Sequence, residues 1–190
     1  SSDNLNQKFE ANIYLKNEVE QLTGSFKIRG ALSALSHLKS KDVEGVVAFS
    51  SGNHAQGVSK AAQIFDMKAI IVMPKDAPKN KIEKTKGNGA EVILYERHVQ
   101  SREEIAEQIA KDKDYPLVKP FDNEQIIAGQ GSFGLEACEF FLVNDIEPDI
   151  VLSCTSGGGL VAGTSIAFKH YFPDAEIYPV EPLTLSLIHI

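Results

Sequence analysis

The residues best suited to chemistry begin with Lys27, in the run Thr23-Gly24-Ser25-Phe26-Lys27-Ile28-Arg29-Gly30-Ala31. Apolar residues at Ile28, Ala31, Leu32, Leu35 and Leu38 recur at helical spacing, so this run opens an amphipathic helix. Ser25 or Thr23 can serve as its N-cap, which puts Lys27 and Arg29 near the first turn. The positive end of the helix dipole disfavours a cation there by roughly 0.3–1 kcal/mol and lowers a lysine's pKa. A lysine amine held neutral is what imine formation with an aldehyde requires. Taken alone, these nine residues also fit a solvated lysine on a helix face.

Two further turns favour anions. Ser156-Gly157-Gly158-Gly159 follows the apolar run Ile150-Val151-Leu152 and precedes a helical pattern from Leu160. Three glycines let successive backbone N–H groups converge, and the helix adds its positive end, which suits a phosphate. The plainer readings are a tight turn, which needs only one glycine, or a degenerate dinucleotide fingerprint. Ser50-Ser51-Gly52-Asn53-His54 is a second such helix start. Asn53 there also fits a plain N-cap, and His54 at a helix start is expected neutral, with a lowered pKa. In open parallel sheets ligands bind beyond the carboxyl ends of strands. All three turns, including the one at Lys27 behind the apolar triplet Ile13-Tyr14-Leu15, read as following strands, so each can face that edge.

These stretches carry a family resemblance. The Lys27 run resembles the cofactor-lysine motif of pyridoxal-phosphate (PLP) enzymes of fold type II, the serine racemase and serine/threonine dehydratase (threonine ammonia-lyase) family. Ser50 to Gly57, Ser156 to Leu160 and Ile127-Ala128-Gly129-Gln130-Gly131 agree with it in the family's order, and the similarity runs from about Ser1 to Pro182. The resemblance implies PLP carried on Lys27, with its phosphate held by Ser156, Gly157, Gly158, Gly159 and Leu160. The family usually has four glycines in that turn; Ser156 replaces the first and adds a hydroxyl donor.

By the same resemblance Phe26 packs against the cofactor ring, where an ordinary core phenylalanine is the plainer reading. Asn53 hydrogen-bonds the ring hydroxyl, and the backbone of Ser51, Gly52, Asn53 and His54 receives the substrate carboxylate. Racemases carry a serine at the Ser51 position as the acid/base opposite the lysine. Members that only dehydrate often have alanine there, although some hydroxyamino-acid dehydratases keep the serine. Arg102 matches an arginine near the substrate in serine racemases, and it also reads as a solvated helix-start arginine. Glu181 matches a divalent-metal ligand of some members, which leaves magnesium or calcium open; the positions after it diverge from the family.

The implied activity is PLP-dependent deamination by β-elimination of a small hydroxy amino acid such as L-threonine or L-serine, giving a 2-keto acid and ammonia. Serine racemisation and hydroxyaspartate ammonia-lyase activity are the alternatives. Cysteine- or threonine-synthase relatives share the fold, but His54 and Arg29-Gly30-Ala31 fit the dehydratase branch better. A nicotinamide dehydrogenase would leave Lys27 idle. Outside enzymes, the alternative is a non-catalytic amino-acid or PLP sensor domain. The expected partner is a small amino-acid substrate, and a homo-oligomeric parent protein is expected.

The elements that must hold these turns alternate along the chain. Strands are expected at Gly45 to Phe49, Ala69 to Met73, Glu91 to Tyr95, Leu117 to Val118, Asp149 to Ser153 and Glu176 to Val180. Helices are expected from about His54, from Pro78 at a first-turn position, from Ser101, from Ala128 to Leu142, and from Leu160 to Tyr171. Near-continuous apolar strands between helices mean an α/β fold, with twisted parallel sheets covered by helices on both faces. The resemblance specifies a truncated PLP fold type II (tryptophan synthase β-like) architecture. It places 45–122 in a small α/β domain inserted into a larger PLP-binding domain of 1–44 and 123–190.

The chain has 190 residues, 43% hydrophobic and 24% charged, which suits a soluble globular core. A net charge of −7 disfavours nucleic acid or an anionic membrane as a partner. No run is read as a membrane span, and no signal-peptide pattern opens the chain. Cys138 and Cys154 are expected to be buried free thiols in a reducing compartment, by default the cytoplasm. Ser1 stands where a methionine would start a chain, and residues 183–190 differ from what the family places after Pro182. The expectation is a fragment lacking most of the second half.

Overall fold

The structure is a computed structural model that describes residues 3–182. The expectation for 183–190 lies outside the described residues.

β1 (Gly45–Phe49), β2 (Lys68–Pro74) and β3 (Glu91–Tyr95) form a parallel sheet in the order β1-β2-β3. Their runs of Val and Ile carry no polar alternation and so call for burial on both faces. Val46, Ala48, Ile71 and Met73 pack into one core with α2 (Lys27–Lys39), α3 (Asn53–Ile64) and α4 (Lys79–Gly87). Val47, Phe49, Ile70 and Val72 point the other way and meet α5 (Arg102–Lys113). On the free edge of β1, the Val47 N–H donates to Pro116 O and the Val118 N–H to Val47 O. This bridge pairs Val47 with Leu117 in parallel. Pro120, three residues past Leu117, is thereby carried toward the carboxyl end of β1.

A second parallel sheet joins β4 (Ile150–Cys154) and β5 (Glu176–Val180). Val151 and Ile177 pack against α6 (Glu124–Val143) and α7 (Gly159–Tyr171) through Cys138, Ala167 and Phe168. Their neighbours Ile150, Leu152, Tyr178 and Val180 are exposed on the opposite face. The mixed α/β architecture of parallel strands and helices is the expected one. Within the described residues only the first sheet is covered on both sides.

α6 sets the geometry of the molecule. It starts earlier than expected because Asn123 caps it, its Oδ1 accepting from the Ile126 N–H at 3.1 Å. Gly129, Gly131 and Gly134 each cost helix stability by roughly 1 kcal/mol against alanine. Close packing offsets that cost. A Cβ on Gly129 would stand 2.6 Å from the Arg29 carbonyl oxygen, and one on Gly131 would stand 3.2 Å from the Gly163 oxygen. α2 and α7 thus lie backbone against backbone on two flanks of α6, which fixes their N-terminal ends relative to one another. Among the described residues α6 is long and apolar enough to cross a membrane, against the expectation that no run reaches a membrane span. Here that length is spent against α2 and α7.

Two local expectations fail. Ile13-Tyr14-Leu15 is irregular, and among the described residues no strand pairs with it. Instead the Tyr14 ring docks on Phe140 and Phe141 of α6 at centroid distances of 5.7 and 5.5 Å. The segment is also tied to α1 (Asp3–Phe9), where Asn6 Oδ1 accepts from the Ile13 N–H. Pro78 is the cap of α4, with an extended ψ of 127°, and not its first-turn residue.

Candidate active site

The lysine turn is tighter than expected. Gly24 takes a φ of +71° and its N–H donates to Gln21 O at 2.7 Å. Phe26, at φ −58° and ψ −18°, already has helical geometry. A side-chain cap needs an extended residue, so neither Ser25 nor Thr23 caps α2. Their hydroxyl oxygens are buried and find no hydrogen-bond partner among the described residues. The turn is held by Arg29 instead. Its guanidinium grips Glu18 at 2.6 and 2.9 Å and Glu136 at 2.6 and 2.8 Å, and it donates to Ser132 Oγ at 3.0 Å. The Arg29 hydrogen bonds push the Glu136 carboxyl down to about 2, and both partners hold Arg29 charged above its ordinary value. The residues before the lysine are thereby clamped to α2 and α6.

Lys27 is the first residue of α2. Its Nζ donates to Pro120 O at 2.7 Å and lies 5.2 Å from the centroid of the half-buried Phe26 ring. Burial lowers its pKa from 10.5 to about 8. The direction is the one expected, but the cause is desolvation. His54 is also buried, and its Nε2 lies 3.0 Å from Val118 O. Burial first, then the Lys27 charge, lower its pKa to about 4, against the opposing pull of the Val118 hydrogen bond. His54 is therefore neutral at pH 7. A carbonyl only accepts, so Nε2 carries the proton. Lys27 and His54 thus fasten the same stretch, Val118 to Phe121.

The other two turns do follow strands. After β1, Ser50 Oγ accepts from the Gly52 N–H at 3.1 Å, and Gly52 caps α3. Asn53 is consequently the first helical residue and not the cap; its Oδ1 accepts from Lys81 Nζ at 2.8 Å. After β4, Gly158 has a φ of +84°, the left-handed region that favours glycine, and α7 begins at Gly159. A Cβ on Gly157 would overlap the Phe121 ring, and one on Gly159 would stand 3.0 Å from Phe121 O. Glycine is needed because Phe121 packs against this turn.

The three turns surround one cavity of about 380 Å³. Phe26 and Lys27 line it, with Ser51, Gly52, Asn53 and His54, and with Ser156, Gly157, Gly158, Gly159 and Leu160. Arg102 stands at its rim, its guanidinium 5.2 Å from the Phe49 ring centroid and its Nε 2.7 Å from Glu103. Arg102 is the first residue of α5 and is largely exposed, as its helix-start reading has it. Pro120, Phe121 and Thr155 line the cavity too and escaped the sequence reading. Only the pairing of Leu117 with Val47 brings the first two here, and no local motif announces it. Cys154 was expected to be buried. It is exposed and lines the cavity, because it ends β4 at the open edge.

A phosphate-bearing aldehyde suits these groups. The glycine turn at the start of α7 is shaped for an anion, and Lys27 is a partly neutral amine at pH 7–8. Glu181 follows the end of β5 and is not in the cavity lining. Among the described residues no cluster of three or more His, Cys, Asp or Glu side chains could hold a metal ion.

The chain is similar to known proteins in sequence and in fold. The chain is 40% identical to the serine racemase of Schizosaccharomyces pombe over 184 residues, covering 96% of this chain and 55% of that protein. It is 46% identical to the L-threonine ammonia-lyase of Thermotoga maritima over 170 residues, covering 89% of this chain and 41% of that protein. The solved structure of maize serine racemase superposes with a TM-score of 0.90 at 34% identity, covering 96% of this chain and 55% of that one. The chain spans about half the length of the curated relatives it matches. The description "Pyridoxal-phosphate dependent enzyme" matches residues 1–189, and the chain, with its lysine, glycine turn and serine turn around one cavity, belongs to that family in its fold type II branch.

Proposed function

We propose that the full-length gene product carrying this chain deaminates a small β-hydroxy amino acid, L-threonine or L-serine, to a 2-keto acid and ammonia. The observation that carries the reading is the meeting of Lys27, the Ser51–His54 turn and the Ser156–Gly159 turn on one cavity. When bound, PLP supplies a ring that takes up the electron pair left as the Cα proton departs. The chain's own groups do the rest. The Ser156–Leu160 backbone and the α7 dipole hold the phosphate, and Phe26 flanks the ring. Backbone N–H groups of Ser51 to His54 receive the substrate carboxylate. Lys27, once neutral, would take the proton from Cα and pass it to the departing β-hydroxyl, which leaves as water, and hydrolysis of the released enamine would then give the 2-keto acid and ammonia. His54 is buried, neutral and bonded to Val118, so its part is to hold the pocket wall.

Ser51 favours a second reading. A hydroxyl on the cavity wall apart from Lys27 can return a proton to the other side of Cα, which gives racemisation. Arg102 at the rim offers a cation to a substrate with a second carboxylate, such as hydroxyaspartate. The separate sheets of 45–122 and of the later residues support a small domain set into a larger one. Two free cysteines, one of them exposed, support a reducing compartment such as the cytoplasm.

The test is product analysis of the full-length gene product with PLP and L-threonine, L-serine or hydroxyaspartate. Release of keto acid and ammonia is expected. D-serine without keto acid would make it a racemase, and PLP binding with no turnover of any of the three would make it a sensor domain.

A further inference from the structure

Lys81, on the cationic helix α4, was not part of any motif. Its Nζ donates to Asn53 Oδ1 at 2.8 Å. An ammonium has donors only, so it can be satisfied there by the amide oxygen and by no other atom of that group. The bond therefore decides which way the Asn53 amide faces. With Oδ1 turned to Lys81, the Nδ2–H groups are left to point elsewhere and can meet an acceptor in the cavity. Gly52 makes room for this contact, since a Cβ there would stand 3.2 Å from Lys81 Nζ. α4 is itself anchored, because Asn88 Nδ2 at its end donates to the buried Ser59 Oγ of α3 at 3.0 Å.

We propose that Lys81 is a positioning residue: it fixes the Asn53 amide with its N–H donors toward the cavity and so selects a cofactor whose ring oxygen accepts as an anion. This rests on the PLP reading above. A positive charge one hydrogen bond behind the donor strengthens that donor and favours an ionised acceptor. Lys81 touches no substrate atom and acts only through Asn53.

The experiment measures PLP affinity by equilibrium dialysis on the full-length gene product, comparing wild type with K81M, K81Q, K81R, N53A and K81M/N53A. Thermal midpoints without PLP are recorded for each. K81M is expected to weaken PLP binding roughly tenfold, as for loss of a charge-assisted hydrogen bond. K81R, also a donor only, should recover most of the loss, and K81Q, whose amide can donate but carries no charge, should fall between. In the N53A background K81M should add less than about twofold, since the two act in series. Wild-type affinity in K81M, or losses that multiply in the double variant, would overturn the role of Lys81 while leaving the PLP site standing. A wild type that fails to bind PLP would overturn the underlying reading as well.

Discussion

Lys27 and Pro120 lie 93 positions apart in the sequence, yet the Lys27 amine donates to the Pro120 carbonyl at 2.7 Å. Pro120 is held from both sides. His54 bonds to Val118, and Phe121 packs against Gly157 and Gly159. One short segment thus gauges the distance from the lysine to the glycine turn, and α6 sets the same distance from behind by packing α2 and α7 on its flanks.

The glycine turn can be tested by charge. G158A should be mild, because open space surrounds Gly158 and only its φ of +84° is strained, at about 1–2 kcal/mol. G158D adds a carboxylate where the phosphate should sit. Like-charge repulsion in a partly dry site should weaken PLP binding by a further factor of about 100. Equal affinities of G158A and G158D in equilibrium dialysis would move the phosphate elsewhere.

S51A separates the two chemistries. Elimination needs one base, and Lys27 can supply it. Racemisation needs a second group on the other side of Cα. L-to-D interconversion should fall by roughly 10²–10⁴-fold in S51A, with a much smaller loss of keto-acid release. Chiral chromatography and keto-acid assay in parallel decide it; an equal fall in both would make Ser51 part of carboxylate binding alone.

His54 should be visible in the pH dependence of folding. Its folded pKa of about 4 lies below the ordinary 6.5, so in that window the unfolded state binds more protons. Stability is fully present above pH 6.5 and is lost as pH falls toward 4, by roughly 3 kcal/mol. Glu136 acts in a lower window. Its folded pKa of about 2 lies below 4.5, so its contribution is lost only as pH falls under 4.5. Urea titrations should show a slope between pH 6.5 and 4.5 that H54Q removes; a slope unchanged in H54Q would contradict the assignment.

Arg29 should matter more than the carboxylates it grips. Its side chain and that of Glu18 are only 10% and 11% exposed, whereas Glu136 is 49% exposed. R29A leaves a buried carboxylate without its partner and should cost about 3–5 kcal/mol. E136Q removes a largely solvated charge and should cost about 0–1 kcal/mol. Urea midpoints compare them directly, and equal losses would mean that burial of Glu18 is not what the clamp protects.

The sequence made the strands and the glycine turns legible because their signals are local. Gly45 to Phe49 and Val92 to Tyr95 are continuous apolar runs, and three adjacent glycines have few other uses. What it hid was non-local. Pro120 and Phe121 reach the site through a parallel bridge to β1, and Lys81 reaches Asn53 from a different helix. Tyr14 was misplaced in a strand because a short apolar triplet does not reveal whether a partner strand exists. The cap at Ser25 failed for a related reason, since Gly24 turns the chain so that Phe26 enters the helix already wound.

The central claim is that Lys27 carries the cofactor from a buried, easily deprotonated position. The direct measurement is the visible absorbance that develops when PLP is added to the full-length apoprotein, in wild type and in K27A, across pH. Wild type should develop the lysine-bound band, at a rate that rises to a plateau with a midpoint near the Lys27 pKa of about 8, and K27A should develop none. A K27A protein that forms the same band, with the same pH profile, would contradict the account.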